Sequence, residues 1–284
     1  FPAVHSACTF TKVGKTGLLY CLKGKSDSAP SVLMAHYDVV LVDEQGWTKP
    51  AFDGLIEDNF IWGRGTLDTK GTLCGILEAL EMLVKEGYVP QNDLYLSFSG
   101  EEEIDGNSCA DIVSYLEKKG VKPAIVLDEG GAVVEGVFPG VKQPCAVVGI
   151  AEKGMLNAQY RTVSAGGHAS APKPHTPVGI LAAACKKVED HPFPMLLTEP
   201  AAEMFDTLGR YSSFVYKIIF SNIKLFLPVL DVICKSGGGE MNALVRTTVA
   251  FTQMEGSSAA NVLPPEAKMV ANMRLNPSDT VESA

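Results

Sequence analysis

Asp93-Leu94-Tyr95-Leu96-Ser97-Phe98-Ser99-Gly100-Glu101-Glu102-Glu103-Ile104-Asp105-Gly106 is the stretch that decides the fold. Leu94, Leu96 and Phe98 alternate with Tyr95 and Ser97, and Asn92-Asp93 and Gly100 bound the run, so a strand is expected over 94–98. Three consecutive glutamates stand just past its end. Adjacent carboxylates repel one another, and neither a strand nor a helix requires them. Alone, such a run reads as a solvated acidic turn. In an open α/β sheet, however, ligands bind beyond the carboxyl ends of the strands, and other strand ends along this chain also carry acids or histidine.

Toward the N-terminus, Ser31–Asp38 (SVLMAHYD) follows a Ser/Asp/Pro loop signal, and a strand is expected to end at His36. Leu55–Gly63 reads as a strand pair around an Asp58-Asn59 turn, followed by Gly63-Arg64-Gly65-Thr66-Leu67-Asp68-Thr69-Lys70-Gly71. A helix follows, with Leu73, Ile76, Leu77, Leu80, Leu83 and Val84 on one face and Gly87 as its stop. Toward the C-terminus, Cys109–Lys119 fits a second helix with Ile112, Val113 and Leu116 inward, ended by Gly120. Ala124–Leu127 reads as a short buried strand running into Asp128-Glu129-Gly130-Gly131. Strands alternating with helices predict an α/β fold, a parallel-core sheet with helices on both faces.

Near Glu152-Lys153-Gly154 the texture changes. Met155–Val163 alternates as a strand, and Gly166-Gly167-His168 lies in a glycine-rich loop. Thr176–Val188 reads as a helix with Val178, Leu181 and Cys185 inward, and Pro192–Gly239 as a long, partly helical excursion. Val245–Met254 and Lys268–Leu275 are β-rich. The expected organisation is a catalytic part over 1–152 and a smaller α+β lid over 153–284. The apolar stretch Phe214–Ile233 is interrupted by Lys217, Lys224, Pro228 and Asp231, a poor membrane span and a better buried or interfacial helix.

The 284 residues are 46% hydrophobic and 20% charged, an ordinary globular composition. Lys plus Arg number 24 against 33 Asp plus Glu, a net charge of -9 without a basic stripe, which argues against a nucleic-acid partner. No membrane partner is expected either. The seven cysteines are scattered and contain no C-x-x-C pair, as in a protein of a reducing, cytoplasmic compartment. The chain starts without methionine and stops at Asp279-Thr280-Val281-Glu282, the pattern of a capping box, so it is expected to be a fragment.

The strand ends together offer His36 and Asp38, Asp68, Glu102 and Glu103, and Asp128. Any one of these is as often an ordinary hydrogen-bonded strand end. A histidine and several carboxylates converging from separate strands form a ligand set suited to Zn²⁺. More carboxylates than one metal uses point to two metals and a bridging carboxylate. Asp38, two residues after His36, points to the same side and can orient it. Of the adjacent glutamates, one can bind metal while another faces the attacking water as general base; the spacing leaves open which does which.

His36-Tyr37-Asp38, Gly63–Lys70, Glu101–Gly106 and Asp128–Gly131 resemble the ordered motifs of the di-zinc metallopeptidase family that includes carboxypeptidase S, aminoacylase, acetylornithine deacetylase and succinyl-diaminopimelate desuccinylase. Ala151–Gly154, Gly166–Ser170, Asn242–Thr248 and Asn261–Pro265 are most similar to its carboxypeptidase S branch, which also holds the N-fatty-acyl-amino-acid hydrolases. The resemblance implies His36, Asp68, Glu103 and Asp128 as metal ligands, with Asp68 bridging two Zn²⁺ that Co²⁺ or Mn²⁺ can replace. It implies Glu102 as general base, Asp38 as support for His36, and a cis peptide after Asp68. His168, Asn261 and Arg274 would bind substrate, with His168 reaching across a homodimer formed through the lid. The activity implied is carboxypeptidase-type cleavage of an amide next to a free carboxylate. The alternatives are an N-acyl-amino-acid amidohydrolase and an inactive binding homologue. The sequence departs from the family pattern at Glu101, where aspartate is usual, and at Asp105, where a small residue is. After Asp128 the only histidines are His168, His175 and His191, and none has the context of the family's last ligand. The chain by itself is therefore expected to bind fewer than two zinc ions, to lack amidase activity and to aggregate.

Overall fold

The strand expected at 94–98 spans Asn92–Ser99 in the computed structural model, which describes residues 1–237 and 239–284. It lies within a five-stranded sheet. In chain order the first unit, Phe1–Gly130, comprises helix α1 (Pro2–Ala7), strands β1 (Thr9–Val13), β2 (Gly17–Leu22) and β3 (Ser26–His36), the hairpin β4 (Leu55–Glu57) and β5 (Phe60–Trp62), helix α2 (Lys70–Lys85), β6 (Asn92–Ser99), helix α3 (Ser108–Lys118) and β7 (Ile125–Leu127). The sheet order is β1-β2-β6-β3-β7. β3 runs parallel to β6 and to β7, whereas β1, β2 and β6 pair antiparallel. The parallel core is as expected, and the N-terminal hairpin extends it.

The period-two pattern of β6 places a helix on each face. Leu94, Leu96 and Phe98 pack with Val4 of α1 and with Leu73, Ile76, Leu77, Leu80 and Val84 of α2. Tyr95 points the other way, into a cluster with Val13, Leu19, and Ile112 and Leu116 of α3. Removing a Leu or Phe side chain from water in such a core stabilises the fold by roughly 1.5–3 kcal/mol. The Asp58-Asn59 turn is where it was expected, with both residues at positive φ, as a two-residue hairpin turn demands.

Three inward assignments fail in this unit. Leu83 is 39% exposed and Val113 57% exposed, each at the border of its helical stripe and turned out of the helix–sheet contact. β7 is not buried: Ile125, Val126 and Leu127 are 56%, 53% and 54% exposed, because β7 forms the sheet edge and pairs only with β3 among the described residues.

The second unit, Gly131–Ala284, contains the hairpin β8 (Ala132–Val134) and β9 (Cys145–Val147), β10 (Gly154–Val163), β11 (Gly167–His168), helices α4 (Pro177–Asp190), α5 (Glu199–Tyr211), α6 (Phe214–Ser221), α7 (Leu227–Ser236) and α8 (Gly239–Leu244), and strands β12 (Thr248–Glu255), β13 (Val262–Leu263) and β14 (Glu266–Leu275). An antiparallel sheet of order β10-β14-β12 buries Ala267, Met269, Ala271, Met273 and Leu275 on one face, where Leu181 of α4 joins them. Val178, expected inward, is 39% exposed in the first turn of α4. The excursion 192–239 builds its own core from Phe205, Leu208, Phe220, Leu230 and Cys234, into which Phe138 and Val141 also pack. For that reason residues 131–152, assigned from sequence to the catalytic part, cluster with this unit. No helix among the described residues is long and apolar enough to cross a membrane. The segment 281–283 forms a turn, and Asp279 accepts a hydrogen bond from Thr247.

Candidate metal centre

The cluster grows from the C-terminal ends of β3 and β6 and from the loop before α2. His36, the last residue of β3, is only 3% exposed. Its Nδ1 lies 3.1 Å from the carbonyl oxygen of Asp38. A carbonyl only accepts, so Nδ1 carries the proton, and in the neutral ring Nε2 presents its lone pair. Nε2 faces Asp68 Oδ1 at 3.0 Å, Glu129 Oε1 at 3.5 Å and Glu102 Oε2 at 3.9 Å. One ligand atom each from His36, Asp68 and Glu103 fall within 4.8 Å of one another. Imidazole nitrogen with carboxylate oxygens is a donor set for a borderline divalent cation, and the accumulation of acids around one histidine calls for positive charge. The residues therefore fit a metal ion.

Asp68 stands immediately before α2, and the Asp68–Thr69 peptide is cis, as the resemblance implies. The glutamate loop leaves β6 at Ser99 and closes on itself, with the Gly106 N–H donating to the Glu101 carbonyl at 2.8 Å and Asp105 in the left-handed region at φ 51°. Asp38 Oδ1 is 3.5 Å from His36 Nδ1, and Asp38 Oδ2 accepts the Glu103 N–H at 3.0 Å. Asp38 thus touches both the histidine and the glutamate loop, a second contact that the H-x-D spacing does not reveal.

Burial lowers the pKa of His36, but the Asp68 hydrogen bond, the Asp38 carbonyl, Glu129 and Glu102 outweigh it and leave it above the usual imidazole value. Glu102 is raised, first by burial; His36 opposes, and Glu103, Glu129 and Asp38 add to the rise. A carboxylate pushed upward in this way is a stronger base.

Glu129 was missed from the sequence. Asp128 points its Oδ1 back to the N–H of Glu129 at 2.9 Å, while Glu129 Oε1 comes within 3.5 Å of His36 Nε2; neither is one of the three clustered ligands. Two consecutive acids past a strand end were the available signal, since adjacent residues face different ways.

His168, Asn261 and Arg274 belong to the second unit. His168 pairs with Val262 across β11 and β13, and the Ala169 N–H donates to the Asn261 carbonyl at 3.0 Å, so these two are neighbours. The His168 ring is exposed and bonds Ser170 Oγ at 2.8 Å through Nδ1. Arg274 is exposed on the open face of β14, where its Nε donates to Asn272 Oδ1 at 3.2 Å.

Known proteins resemble this chain along nearly all of its length. It is 38% identical over 273 residues to the N-fatty-acyl-amino acid synthase/hydrolase PM20D1 of Bos taurus, covering 95% of the chain and 54% of that protein. It is 38% identical over 287 residues to the probable carboxypeptidase S-like 2 of Dictyostelium discoideum, covering 99% of the chain and 54% of that protein. The chain thus spans about half the length of these curated relatives. Its fold matches the M20 family metallo-carboxypeptidase Sso-CP2 from Sulfolobus solfataricus with a TM-score of 0.63 at 21% identity, covering 96% of the chain and 63% of that structure. A family model described as Peptidase family M20/M25/M40 matches residues 32–223, more than half of the chain, and the chain belongs to that family.

Proposed function

We propose that this chain carries the metal-binding residues of a zinc-dependent hydrolase that cleaves an amide bond next to a free carboxylate, in the manner of a carboxypeptidase. The observation that carries this reading is His36 Nε2 within reach of Asp68 and Glu103, with Glu102 alongside and its pKa raised. His36, Asp68, Glu103 and Asp128 would supply part of the ligand set for two Zn²⁺, with Co²⁺ or Mn²⁺ as substitutes; the family's last histidine is not among them, so this chain by itself would hold fewer than two. The metal, when bound, supplies Lewis-acid polarisation of the scissile carbonyl. Glu102 takes the proton of the attacking water and returns it to the leaving amine. Asp38 holds the His36 ring and the Glu103 backbone in register.

In the same reading Phe1–Gly130 is the catalytic part and the β10-β14-β12 sheet with α4 belongs to a lid through which two copies pair. His168 and Asn261 would contact the substrate's amide, and the planar fork of Arg274 suits its carboxylate. The seven free cysteines support a reducing, cytoplasmic setting.

In a form of the protein that turns substrate over, Glu102→Gln should lower turnover by about 10²–10⁴-fold, the usual share of a general base, while bound metal stays at the level of the unsubstituted protein. Loss of metal together with activity would reassign Glu102 as a ligand. A second substrate reading is favoured by the Bos taurus relative, whose name concerns N-fatty-acyl amino acids. Turnover of a blocked dipeptide and of an N-acyl amino acid, measured in parallel, separates the two.

A further inference from the structure

Tyr37 stands between His36 and Asp38, yet its side chain has no part in holding a metal. Three contacts fix it. Its backbone N–H donates to the Ser99 carbonyl at 2.8 Å, continuing the pairing of β3 with β6 by one residue. Its hydroxyl donates to the Thr16 carbonyl at 2.7 Å, in the turn between β1 and β2. Its ring lies on Gly100, so close that a Cβ added there would sit 2.4 Å from the ring Cζ and 2.5 Å from the hydroxyl oxygen. Gly100 does not adopt positive φ. The close approach, rather than an unusual backbone conformation, is what calls for glycine at this position.

Gly100 is the residue from which the glutamate loop departs. The loop is otherwise tied down by the Gly100 N–H to Ser108 Oγ at 3.3 Å, by the Glu103 N–H to Asp38 at 3.0 Å, and by its own closing bond at Gly106. Among the described residues, the Tyr37 side chain connects its first residue to the β1–β2 turn. Ligand distances in metal sites hold within about 0.2 Å, so a small displacement of this loop changes the grip of Glu103 on a metal.

We propose that Tyr37 is a positioning residue, whose ring and hydroxyl brace Gly100 against the β1–β2 turn and thereby set where Glu102 and Glu103 stand relative to His36. The assignment rests on the metal reading above. It makes residues 37 and 100 an interacting pair whose effects on metal binding are not additive.

The test is Co²⁺ titration, followed by visible absorption, of the unsubstituted chain, Tyr37→Phe, Tyr37→Ala, Gly100→Ala and the Tyr37→Ala/Gly100→Ala double variant. Thermal melting of each metal-free protein runs alongside. Tyr37→Ala and Gly100→Ala should each weaken Co²⁺ by about 10–100-fold, the range for residues supporting metal ligands. The double variant should bind no worse than Tyr37→Ala alone, because the ring that met the new methyl is gone. Tyr37→Phe, which loses only the Thr16 bond, should fall between the unsubstituted chain and Tyr37→Ala. A residue that merely fills the core would lower the melting temperature, leave Co²⁺ affinity unchanged in the folded protein, and show losses that add with Gly100→Ala. Either unchanged affinity or additive losses overturns the brace. If Tyr37→Ala does not fold, Tyr37→Leu, which keeps apolar contact but removes Cζ and the hydroxyl, replaces it in the same cycle. Failure of the unsubstituted chain to bind Co²⁺ overturns the metal reading and the brace with it. Binding that none of the variants alters overturns the brace alone.

Discussion

Asp38 makes contacts of two kinds in the cluster, and they separate by substitution. Its backbone carbonyl fixes the His36 tautomer, and that contact survives any change of side chain. Its carboxylate accepts the Glu103 N–H and lies near His36 Nδ1. Asp38→Ala should weaken metal binding by about 10–100-fold, whereas Asp38→Asn, which retains an amide oxygen for the Glu103 N–H, should lose distinctly less. Calorimetric titration with Zn²⁺ measures both, and equal losses would show that the charge rather than the hydrogen bond matters. His36, Asp68 and Glu103 were legible because a strand end, a glycine-rich turn and a run of like charges each need a reason that secondary structure does not supply. Glu129 was not legible. Which of Asp128 and Glu129 comes nearer His36 depends on which way the backbone turns after Leu127, and neither composition nor period encodes that direction.

At the level of elements, α1 is docked by one buried carboxylate. Glu81 of α2 accepts the N–H groups of Ala3 at 3.2 Å and Val4 at 2.9 Å, and pairs with Lys85 at 3.0 Å. Burial raises its pKa, but the Val4 N–H, Lys85 and the Ala3 N–H prevail and hold it at about 2, below the model-compound value of 4.5. Because the folded value is the lower one, the stabilisation is complete above pH 4.5 and is lost as the pH falls toward 2. Thermal unfolding followed from pH 5 to pH 2 should therefore show an acid loss that Glu81→Gln flattens, the variant also being less stable at neutral pH. An identical acid slope in the variant would place the titration elsewhere. The helices of this fold were readable where a stop accompanied the apolar stripe, as with Gly87 after α2 and Gly120 after α3. Thr176, expected as the first helical residue, instead caps α4, its Oγ1 accepting the Gly179 N–H. The apolar run 214–233 showed no such period. Its two helices are separated by a turn at Asn222–Phe226, and their apolar residues divide between a shared core and solvent.

On the scale of the molecule, the texture change at Glu152 coincides with the start of β10, while the compact units divide earlier, after Gly130. Phe138 and Val141 join the core of α5–α8 through contacts far apart in sequence, and no local pattern announces them. Exposure of β7 was equally hidden, since an apolar triplet reads the same in the middle of a sheet and at its edge. That edge has a kinetic consequence. Among the described residues Ile125–Leu127 forms the sheet edge, its outer backbone groups unpaired and flanked by exposed apolar side chains, the surface on which a second chain can add a strand. Encounters through it are bimolecular, so their rate rises with the square of the protein concentration, and a dilute sample and a concentrated one behave as different materials. Val126→Lys places a charge in the middle of that row. Light scattering should then lose its steep dependence on concentration while the melting temperature of a dilute sample stays where it was, and scattering that is unaffected would locate the self-adhesive surface elsewhere on the chain.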